Sequence, residues 1–482
     1  MAIYDNYETV IGLEIHVQLS THSKAFCGDD ARFGGAPNTQ ISTISLGHPG
    51  TLPRLNRQQV EFAVRLGLAL DATLNRHNSF DRKNYFYADL PKGYQITQDR
   101  QPICIGGTLH YRVGEAQKQL RIHHIHMEED AGKSIHDLDP SHSLIDLNRA
   151  GVPLLEIVTE PDLRSAEEVE ACMATMRQLV RYLDISDGNM EEGSLRCDCN
   201  ISVRKKGDPQ LGERCEVKNL NSMRFARRAI EFEHKRQIDL LEAGGKVAQE
   251  TLNFDPATGT TSPLRDKEDA HDYRYFPEPD LPPVVLREED IEAIRQQMPP
   301  LPEALRQRLQ QAFQLPAYDA QLLTVEKATA LYYLRLAKAT PHYKAAANLL
   351  INKILPWTQE EKRELAQFPV AEGSLAAFIQ LIEEGKLSNT IAYQRLFPAL
   401  LAQPDKAPLE LAQQLNLLQT NDKALLEQLV EEAISNHPQK VAAYRKGKKG
   451  LMGFFMGEVM RSSKGKAHPQ TTQQLLRERL DQ

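Results

Sequence analysis

The stretch that decides the fold runs from Arg121 to Asp162; it begins RIHHIHMEEDAGKS and ends SLIDLNRAGVPLLEIVTEPD. In its first part, residues 122–129 (IHHIHMEE) fit the two-residue period of a β-strand, in which even-numbered and odd-numbered side chains lie on opposite faces. The second part predicts a β-hairpin in which residues 143–148 and 154–159 flank a turn at 150–153. We therefore interpret the whole stretch as a series of β-strands.

One acidic side chain, Glu156, lies inside the apolar run LLEIV of this predicted hairpin. An ionised carboxylate among packed aliphatic side chains is costly unless it is paired or bound to a cation. The simplest interpretation of a single such acid is an edge strand with the carboxylate in water. The choice between that interpretation and a functional carboxylate depends on the other strands.

Three further segments place similar polar residues on one face of a strand: VIGLEIHVQL (10–19), SLRCDCNISV (194–203) and CEVK (215–218). Half-buried strands of this kind are typical of an antiparallel sheet with one apolar and one polar face. A polar face is usually only solvated, but solvated faces favour long side chains, whereas this one has short Asp, Asn, Ser and His beside Glu. Such groups are ligands for a hard cation, and the single Arg and Lys residues among them are donors for phosphate. If the strands are neighbours, the sequence predicts a concave acidic cradle for magnesium and a nucleotide.

A partial phosphate-binding motif supports a metal-rich site. Gly132-Lys133-Ser134 resembles the end of a P-loop, but Met127 occupies the position of the leading glycine and three acidic residues lie between. Those acids would repel a triphosphate unless metal ions intervened. A nucleotide site in this chain is therefore predicted to be a sheet carrying metal ions rather than a P-loop.

Composition limits the class of protein. The 482 residues are 41% hydrophobic and 26% charged, which is typical of globular domains, and the length suggests about three of them. No apolar run is long enough to span a bilayer, and the N-terminus lacks the pattern of a signal peptide, so no membrane association is expected. Six cysteines without a disulfide pattern indicate a reducing compartment, and we expect the protein to be cytoplasmic. Because the net charge is −7, contact with nucleic acid requires a local basic patch.

The chain is predicted to be an α+β protein of three domains. Residues 1–290 alternate strands with three helices, predicted at 58–70, 166–183 and 221–243, and form the antiparallel cradle. Residues 291–404 are almost entirely helix-favouring and predict an all-α domain. Residues 405–482 predict a helical tail domain.

The tail carries the densest basic cluster of the sequence. Basic residues flank the apolar segment GLMGFFMGEVM (450–460) on both sides, at Arg445, Lys446, Lys448, Lys449, Arg461, Lys464 and Lys466. The cluster is either a solvated helix end or a contact for a phosphate backbone.

Seven motifs in this sequence resemble, in order, those of the GatB/GatE family, the B subunits of aspartyl/glutamyl-tRNA(Asn/Gln) amidotransferases. The resemblance extends to the C-terminus. The motifs are GLEIHVQL (12–19), FDRKNYFYADLPKGYQITQ (80–98), HMEEDAGKS (126–134), DLNRAGVPLLEIVTEPD (146–162), MEEGSLRCDCNIS (190–202), EVKNLNS (216–222) and DYRYFPEPDLPP (272–283). The resemblance implies a glutamine-synthetase-like catalytic cradle and a tail domain that contacts tRNA.

The resemblance also implies an activity, that of an ATP- and Mg²⁺-dependent carbon–nitrogen ligase with glutamine as amido donor. ATP would phosphorylate the side-chain carboxylate of Glu-tRNA(Gln) or Asp-tRNA(Asn), and ammonia would displace the phosphate. The chain lacks an amidase signature, so ammonia is expected from a glutaminase partner, the A subunit, in a heterotrimer that also contains a small C subunit. The alternatives are a stand-alone metal-dependent phosphohydrolase and a noncatalytic tRNA-binding scaffold.

The candidate site residues fall into three groups, whose exact roles depend on strand pairing that a sequence does not give. The predicted metal ligands are Glu14, His16, Glu129, Glu156 and Asp198, with Glu128 and Glu192 as second choices. The predicted catalytic residues are Glu128, Glu129, Arg149 and Glu156. Contacts to nucleotide and phosphate are predicted for Ser194, Arg196, Lys218, Asn219 and Asn221, and also for Arg149.

No zinc is expected. Family members with zinc have a Cys-x-Cys … Cys-x-x-Cys arrangement near the N-terminus, whereas this chain has Cys27-Gly28-Asp29 and Ser42-Thr43-Ile44-Ser45. Only one thiol of the four remains. The histidines of RIHHIH would form a transition-metal site only if they converged, and their mixed parity does not favour that.

Overall fold

The computed structural model of the protein describes residues 3–136, 138–139, 141–218, 220–264, 273–419, 423–463 and 465–481. The chain folds as two compact units, Met1–Pro302 and Glu303–Gln482. Among the described residues, no helix is both long enough and apolar enough to cross a membrane.

The strands of the described residues all lie in the first unit. In chain order they are β1 (Tyr7–Gln18), β2 (Thr73–Leu74), β3 (His77–Asn78), β4 (Asp81–Asn84), β5 (Tyr94–Thr97), β6 (Cys104–Ile105), β7 (Thr108–Val113), β8 (Ala116–Glu129), β9 (Lys133–Ile135), β10 (Leu144–Asp146), β11 (Pro153–Thr159), β12 (Leu195–Lys205), β13 (Cys215–Lys218), β14 (Glu250–Asp255), β15 (Thr260–Pro263), β16 (Phe276–Pro277) and β17 (Val284–Val285).

One large sheet dominates the unit. Its strand order is β15-β14-β13-β12-β1-β11-β8-β6-β2, with β7 paired to β8 as a tenth strand. The pairs along this path are antiparallel except for β13 with β14, which is parallel. A smaller sheet has the order β16-β4-β5. The predicted α+β class and the N-terminal sheet are confirmed, with one parallel pair in the sheet.

The predicted hairpin is wrong. Residues 144–146 form β10, which pairs with β9 in a separate two-stranded sheet, whereas β11 pairs with β1 and β8. The reason lies in the apolar content of the two strands. Leu155 and Ile157 of β11 are fully buried, while Leu144 of β10 is 42% exposed. A strand that buries apolar side chains belongs in the centre of the large sheet, and one that does not stays outside it.

Four α-helices accompany the sheet within the described residues of the first unit. They are α1 (Arg57–Ala69), α2 (Ala166–Tyr182), α3 (Met223–Glu242) and α4 (Glu288–Gln296). The first three confirm the predicted helices, and each begins after a side-chain N-cap, at Asn56, Ser165 and Ser222. The fourth also belongs to the first unit, because Ile291 is buried in that unit's core.

The two faces of the large sheet differ in what covers them. The odd-numbered residues Leu13, Ile15 and Val17 of β1 are buried in the core that also contains Phe62, Val64 and Leu66 of α1. The even-numbered residues of β1 that carry the polar motif, from Glu14 to Gln18, lie on the opposite face and are only half-buried. The polar face of the sheet therefore faces away from α1.

In the described part of the second unit the regular secondary structure is helical. The α-helices are α5 (Pro302–Gln311), α6 (Ala317–Thr324), α7 (Lys327–Ala339), α8 (Tyr343–Leu349), α9 (Leu355–Glu360), α10 (Glu372–Glu383), α11 (Asn389–Ile391), α12 (Phe397–Ala402), α13 (Pro408–Gln414), α14 (Lys423–Ser435), α15 (Pro438–Arg445), α16 (Met452–Ser462) and α17 (Pro469–Leu480). Short 3₁₀ segments of this unit lie at Leu365–Gln367 and Lys449–Leu451, and π-helical turns at Leu350–Ile354 and Ala392–Leu396. A further 3₁₀ segment, Ile3–Asn6, precedes β1 in the first unit.

The described apolar side chains of the second unit form two separate clusters. One extends from Leu309 to Leu417 and the other from Leu426 to Leu480. The predicted division of this region at residue 405 stays a prediction. Leu411 and Leu417 pack with the first cluster, so residues just after 405 share the core of the helices before them.

Candidate active site

The strand register places the polar side chains of the large sheet in rows. Strand β1 lies between β11 and β12, so His16 is opposite both Glu156 and Arg196. Glu156 is in turn opposite His126 of β8. In the next row Glu14 is opposite Asp198. Side chains directly opposite one another on one face are close enough to interact, so the register brings residues that are far apart in the sequence into one site.

The first acidic triad consists of His16, Glu128 and Glu156. The His16 Nε2 atom lies 3.1 Å from a Glu156 carboxylate oxygen and 3.9 Å from a Glu128 oxygen. His126 Nε2 lies 3.5 Å from Glu128 and 3.6 Å from Glu156. One donor atom from each member of the triad could reach a common metal ion.

The charges of the first triad stabilise one another. Burial lowers the pKa of His16, but the hydrogen bond with Glu156 and the charges of Glu156 and Glu128 outweigh it and raise that pKa to about 9. Burial raises the pKa of Glu156, but His126 and His16 hold it well below the ordinary range. Glu156 is therefore an ionised, half-buried carboxylate with cationic neighbours, and not an acid facing open water.

The second acidic triad consists of Glu14, Asp198 and Glu216, which also present donor atoms to a common point. Lys218 Nζ lies 3.0 Å from Asp198 and 2.6 Å from Glu216, and the Asn200 amide donates to Glu14 over 2.9 Å. Burial and the nearby charge of Glu156 raise the pKa of Glu14. The triad has three carboxylates and one ammonium neighbour, so its local charge is negative.

The donor sets of both triads fit divalent cations. Carboxylate oxygens are the ligands that Mg²⁺ and Ca²⁺ prefer, and the second triad offers only these. The first triad adds one imidazole nitrogen. Burial and the charge of a neighbouring carboxylate raise the pKa of Glu14, as expected where acidic side chains lie close together in a partly buried site.

Asp130 organises two arginines beside the triads, a role that sequence reasoning missed. Its buried carboxylate accepts hydrogen bonds from Arg196 Nη1 and Nη2 over 2.9 and 3.1 Å and from the Gln18 amide over 2.5 Å. Arg149 Nε lies 3.6 Å away. Burial raises the pKa of Asp130, but Arg196 and Arg149 lower it to about 2. Asp130 thereby fixes the orientation of the Arg196 guanidinium group and attracts the charge of Arg149.

Replacing Asp130 with asparagine is expected to lower the free energy of unfolding at pH 7 by about 2 kcal/mol, since a one-unit pKa shift corresponds to about 1.4 kcal/mol. The folded-state pKa is depressed from 3.8 to about 2. The carboxylate therefore stabilises the fold above pH 4, and this contribution disappears as the pH falls towards 2. Urea unfolding of both proteins at pH 7 and pH 3 measures the difference. A Glu115→Gln variant in the exposed β7–β8 turn serves as control. A difference that does not shrink in acid would contradict the charge-based explanation.

The structure brings together most of the predicted site residues. Six of them lie within the two triads or contact a triad member: Glu14, His16, Glu128, Glu156, Asp198 and Lys218. Two more, Arg149 and Arg196, contact Asp130. Glu216 completes the second triad without having been assigned a role, although CEVK placed it on the same face as Lys218. His126 was likewise assigned no role.

Other predicted residues lie apart from the triads. Glu129 forms an ion pair with Lys92 and accepts from the Ile96 amide over 3.0 Å. Arg149 donates to the carbonyl oxygens of Ala131 and Gly132 over 2.9 and 2.6 Å. Glu192 and Asn221 are exposed, Ser194 immediately precedes β12, and Asn219 lies outside the described residues.

The four positions compared above with a zinc motif, Cys27, Asp29, Ser42 and Ser45, lie close together. The Asp29 carboxylate accepts from Ser45 Oγ over 2.5 Å, and the Ser42 amide donates to Ser45 Oγ over 2.9 Å. The Asp29 carboxylate also interacts with the Cys27 thiol. One thiol, one carboxylate and two hydroxyls do not match the thiolate-rich set of a structural zinc site. The expected lack of zinc stays a prediction.

Comparison with known proteins gives the family. The model described as "GatB/GatE catalytic domain" matches residues 9–292, and the model described as "GatB domain" matches residues 331–480. The first match contains both triads, and the second covers most of the helical unit.

Curated relatives are similar over nearly the whole chain. The protein from Geotalea uraniireducens that is named as the B subunit of an aspartyl/glutamyl-tRNA(Asn/Gln) amidotransferase is 47% identical over 98% of this chain and 99% of its own length. The proteins of the same name from Geobacter sulfurreducens and Myxococcus xanthus are 48% and 46% identical, each over 98% of this chain and 99% of their own lengths. These findings confirm the resemblance carried by the sequence motifs.

Proposed function

The chain belongs to the GatB/GatE family, and from this premise we propose that it activates the side-chain carboxylate of glutamate or aspartate on mischarged tRNA. In this reaction the γ-phosphoryl group of ATP passes to the carboxylate of Glu-tRNA(Gln) or Asp-tRNA(Asn). Ammonia then displaces the phosphate, which leaves the amide of Gln-tRNA(Gln) or Asn-tRNA(Asn). A carboxylate is a poor electrophile until one of its oxygens becomes part of a good leaving group, so the phosphoryl step must come first.

The observation that supports this proposal best is the pair of acidic triads on one face of one sheet. His16, once its imidazole has given up its proton to solvent, would hold one Mg²⁺ together with Glu128 and Glu156, and Glu14, Asp198 and Glu216 would hold another. Divalent cations bound there would neutralise the phosphates of ATP and the substrate carboxylate, which otherwise repel each other. A solvated face needs no such convergence of ligands from several strands.

The cationic side chains of the site have separate tasks in this proposal. Lys218, beside the second triad, would contact the phosphates once metal binding relieves its pairing with Asp198 and Glu216. Arg196, held by Asp130, presents its guanidinium beside His16 in the same row of the sheet. It is suited to the oxygen atoms of the transferring phosphoryl group, because a guanidinium binds such oxygens with fixed geometry.

The proposed ammonia source is a partner. No amidase signature occurs in this sequence, and the similar proteins are named as B subunits. We infer that its partners in a heterotrimer are a glutaminase, the A subunit, and a small C subunit. Glutamine would then be hydrolysed on the glutaminase and its ammonia used on this chain.

The test of the proposed function is an amidation assay of the chain assembled with its partners. Mischarged tRNA, ATP, Mg²⁺ and glutamine together should give the amidated tRNA and ADP, and omission of ATP or addition of EDTA should abolish the product. A stand-alone phosphohydrolase would release phosphate from simple phosphoesters without tRNA. A noncatalytic scaffold would neither bind ATP through residues 1–290 nor lose product formation when a triad carboxylate is replaced. Either of these results would overturn the proposal.

The tail provides a separate prediction about tRNA binding. Not all of its basic residues are available to an anion: Arg445 donates to the Leu480 carbonyl oxygen over 3.2 Å, and Lys449 pairs with Asp481 at 2.6 Å. Lys446 and Lys448 are exposed, and no ion pair is seen for them among the described residues. A chain with net charge −7 repels a polyanion on average, so association depends on such local patches.

Deletion of residues 420–482 is expected to weaken tRNA binding by roughly tenfold or more and to flatten its dependence on salt, because each lost phosphate contact removes about one unit of the salt slope. The cut after Gln419 removes the second apolar cluster and leaves the first intact. ATP affinity should not change, and KM for tRNA should rise with kcat nearly constant. Binding titrations across a salt series for full-length and shortened protein, both assembled with partners, measure this. Equal affinities with equal slopes would show that the tail is an ordinary solvated helix end.

A further inference from the structure

Four tyrosines form a continuous cluster at one end of the acidic site. They come from two separate motifs, NYFY (84–87) and YRYF (273–276), and we define Tyr85, Tyr87, Tyr273 and Tyr275 as the tyrosine cluster. Ring centroids lie 5.7 Å apart for Tyr87 and Tyr85, 6.1 Å for Tyr85 and Tyr273, and 6.0 Å for Tyr273 and Tyr275. Interplanar angles of 70° to 72° make each contact edge-to-face.

Backbone and side-chain bonds hold the two motifs together. The Asn84 amide nitrogen donates to the Tyr273 carbonyl oxygen over 2.9 Å, and Asn84 Nδ2 donates to the Arg274 carbonyl oxygen over 2.8 Å. Phe276 of β16 pairs with Arg82 of β4. Arg274 itself has φ of +43°, which is a strained conformation for a non-glycine residue. The surrounding structure therefore fixes the positions of the tyrosines.

A lysine connects the tyrosine cluster with the first triad. Lys83 Nζ lies 4.7 Å from the ring centroid of Tyr273 and 6.0 Å from that of Tyr85. Burial lowers the pKa of Lys83, but the charges of Glu128 and Glu156 contribute to a net rise. The Lys83 ammonium group thus lies beside the tyrosine rings and within the electrostatic influence of the two carboxylates, where it could receive an anionic group.

The order of the strands gives the site a direction. Lys218 on β13 marks one end of the path β13-β12-β1-β11-β8, and the second triad lies on its first three strands. The first triad lies on β1, β11 and β8. Beyond β8, the Ile96 amide of β5 donates to Glu129, and β5 pairs with β4, which carries Lys83. The predicted phosphate contact at Lys218 and the tyrosine cluster are therefore at opposite ends of the acidic site.

We propose that the tyrosine cluster is the stacking surface for the terminal adenosine of the aminoacyl-tRNA. The inference rests on the proposed function. The amino acid is esterified to that nucleoside, so a base stacked on the tyrosines would direct the side-chain carboxylate past Lys83 to the first triad. An adenine base could also come from ATP, but Lys218, the proposed contact for the ATP phosphates, lies at the opposite end of the site.

The exposure of the rings suits this role. Tyr87 is 46% exposed and Tyr275 is 39% exposed, although both are large aromatic side chains. Unstacked bases at the ends of RNA are commonly bound on aromatic rings, whose flat faces accept any base. Phe86 and Phe276 beside them are exposed as well, at 79% and 42%.

The test replaces the two most exposed rings. A Tyr87→Ala/Tyr275→Ala variant, assembled with its partners, is expected to raise KM for aminoacyl-tRNA about tenfold while KM for ATP stays unchanged, since stacking accounts for roughly 1–3 kcal/mol per base. The ring-retaining Tyr87→Phe/Tyr275→Phe variant should restore the wild-type KM. Tyr318→Ala serves as control, because that tyrosine is 70% exposed on α6 in the other unit.

A binding comparison separates the inference from the proposed function. Wild-type protein should bind a tRNA with its terminal adenosine about tenfold more tightly than the same tRNA lacking it, and the double alanine variant should bind both equally. This readout decides the inference even if the wild-type enzyme forms no amide, a result that would overturn only the proposed function. A change in KM for ATP alone would assign the tyrosines to the nucleotide. Loss of assembly with the partners would assign them to an interface between subunits. Either result, or no change in any constant, would overturn the inference.

Discussion

Replacement of Glu156 by glutamine is expected to reduce ATP-dependent amidation by roughly 10²- to 10³-fold, which corresponds to the loss of about 3–4 kcal/mol of transition-state stabilisation. Glu156 lies between His16 and His126 and is the member of the first triad closest to His16 Nε2, at 3.1 Å. Glutamine has nearly the same shape, but it cannot neutralise a cation and presents an amide nitrogen where an oxygen is needed. Turnover measured with mischarged tRNA, and Mn²⁺ affinity measured by calorimetric titration, should fall together.

The control for this variant is Glu231→Gln. Glu231 lies on the outer face of α3 and pairs with Arg227 at 2.9 Å, away from the sheet's polar face. Its replacement should change neither turnover nor metal affinity, because exposed ion pairs contribute little. Unchanged turnover in the Glu156→Gln protein would rule out a metal-ligand role. If the thermal unfolding temperature fell sharply and activity returned under stabilising conditions, Glu156 would instead be a structural partner of the two histidines.

The purified chain without partners is expected to form amide from ammonium ions but none from glutamine. The predicted contrast is close to all-or-none, because the sequence contains no amidase signature while both acidic triads lie within this chain. Addition of the glutaminase partner should restore the use of glutamine and leave the ammonium-dependent rate of the same order. The measurement is amidated tRNA formed per minute with each nitrogen source, with and without the partner.

The matching control is a chain that carries the Glu156→Gln replacement. It should fail with both nitrogen sources, in the presence and absence of the partner, since the defect precedes the use of ammonia. Glutaminase activity in a preparation free of other subunits would show that the division of work between the chains has been assigned wrongly. Amide formation from ammonium in the absence of ATP would contradict the activation step itself.

The sequence predicted the strands and helices that carry a clear period. Helices α1, α2 and α3 were predicted within a few residues. Their side-chain caps, at Asn56, Ser165 and Ser222, lie where the predicted helical segments begin, so local sequence is sufficient to place these helices. The hairpin of residues 143–159 was wrong, since a turn between two strands does not decide whether they pair with each other. Burial decided it: the apolar side chains of β11 belong in the middle of the large sheet, and those of β10 do not.

The candidate site was predictable as a set of residue types but not as a geometry. Parity placed Glu14, His16 and Asp198 on one face, and the structure has them there. Pairing between strands that are distant in the sequence then decided which acids converge. Because of this strand pairing, Glu216 lies in the second triad, whereas Glu129 forms an ion pair with Lys92 outside both triads. The role of Asp130 depends on Arg196, which lies 66 residues away, so no local pattern indicated it.

Strand β1 contributes one ligand to each triad, and only Ile15 separates the two. Successive residues on one face of a strand are spaced by about 6.8 Å, so the backbone acts as a rigid spacer between the two proposed cation positions. Neither position can move along the strand without the other. Insertion or deletion of a single residue between Glu14 and His16 would turn one of them to the apolar face, whereas a change at either end of β1 would shift both together. A compound that bridges both positions must therefore match a length that the main chain sets and that side-chain mutations can scarcely alter.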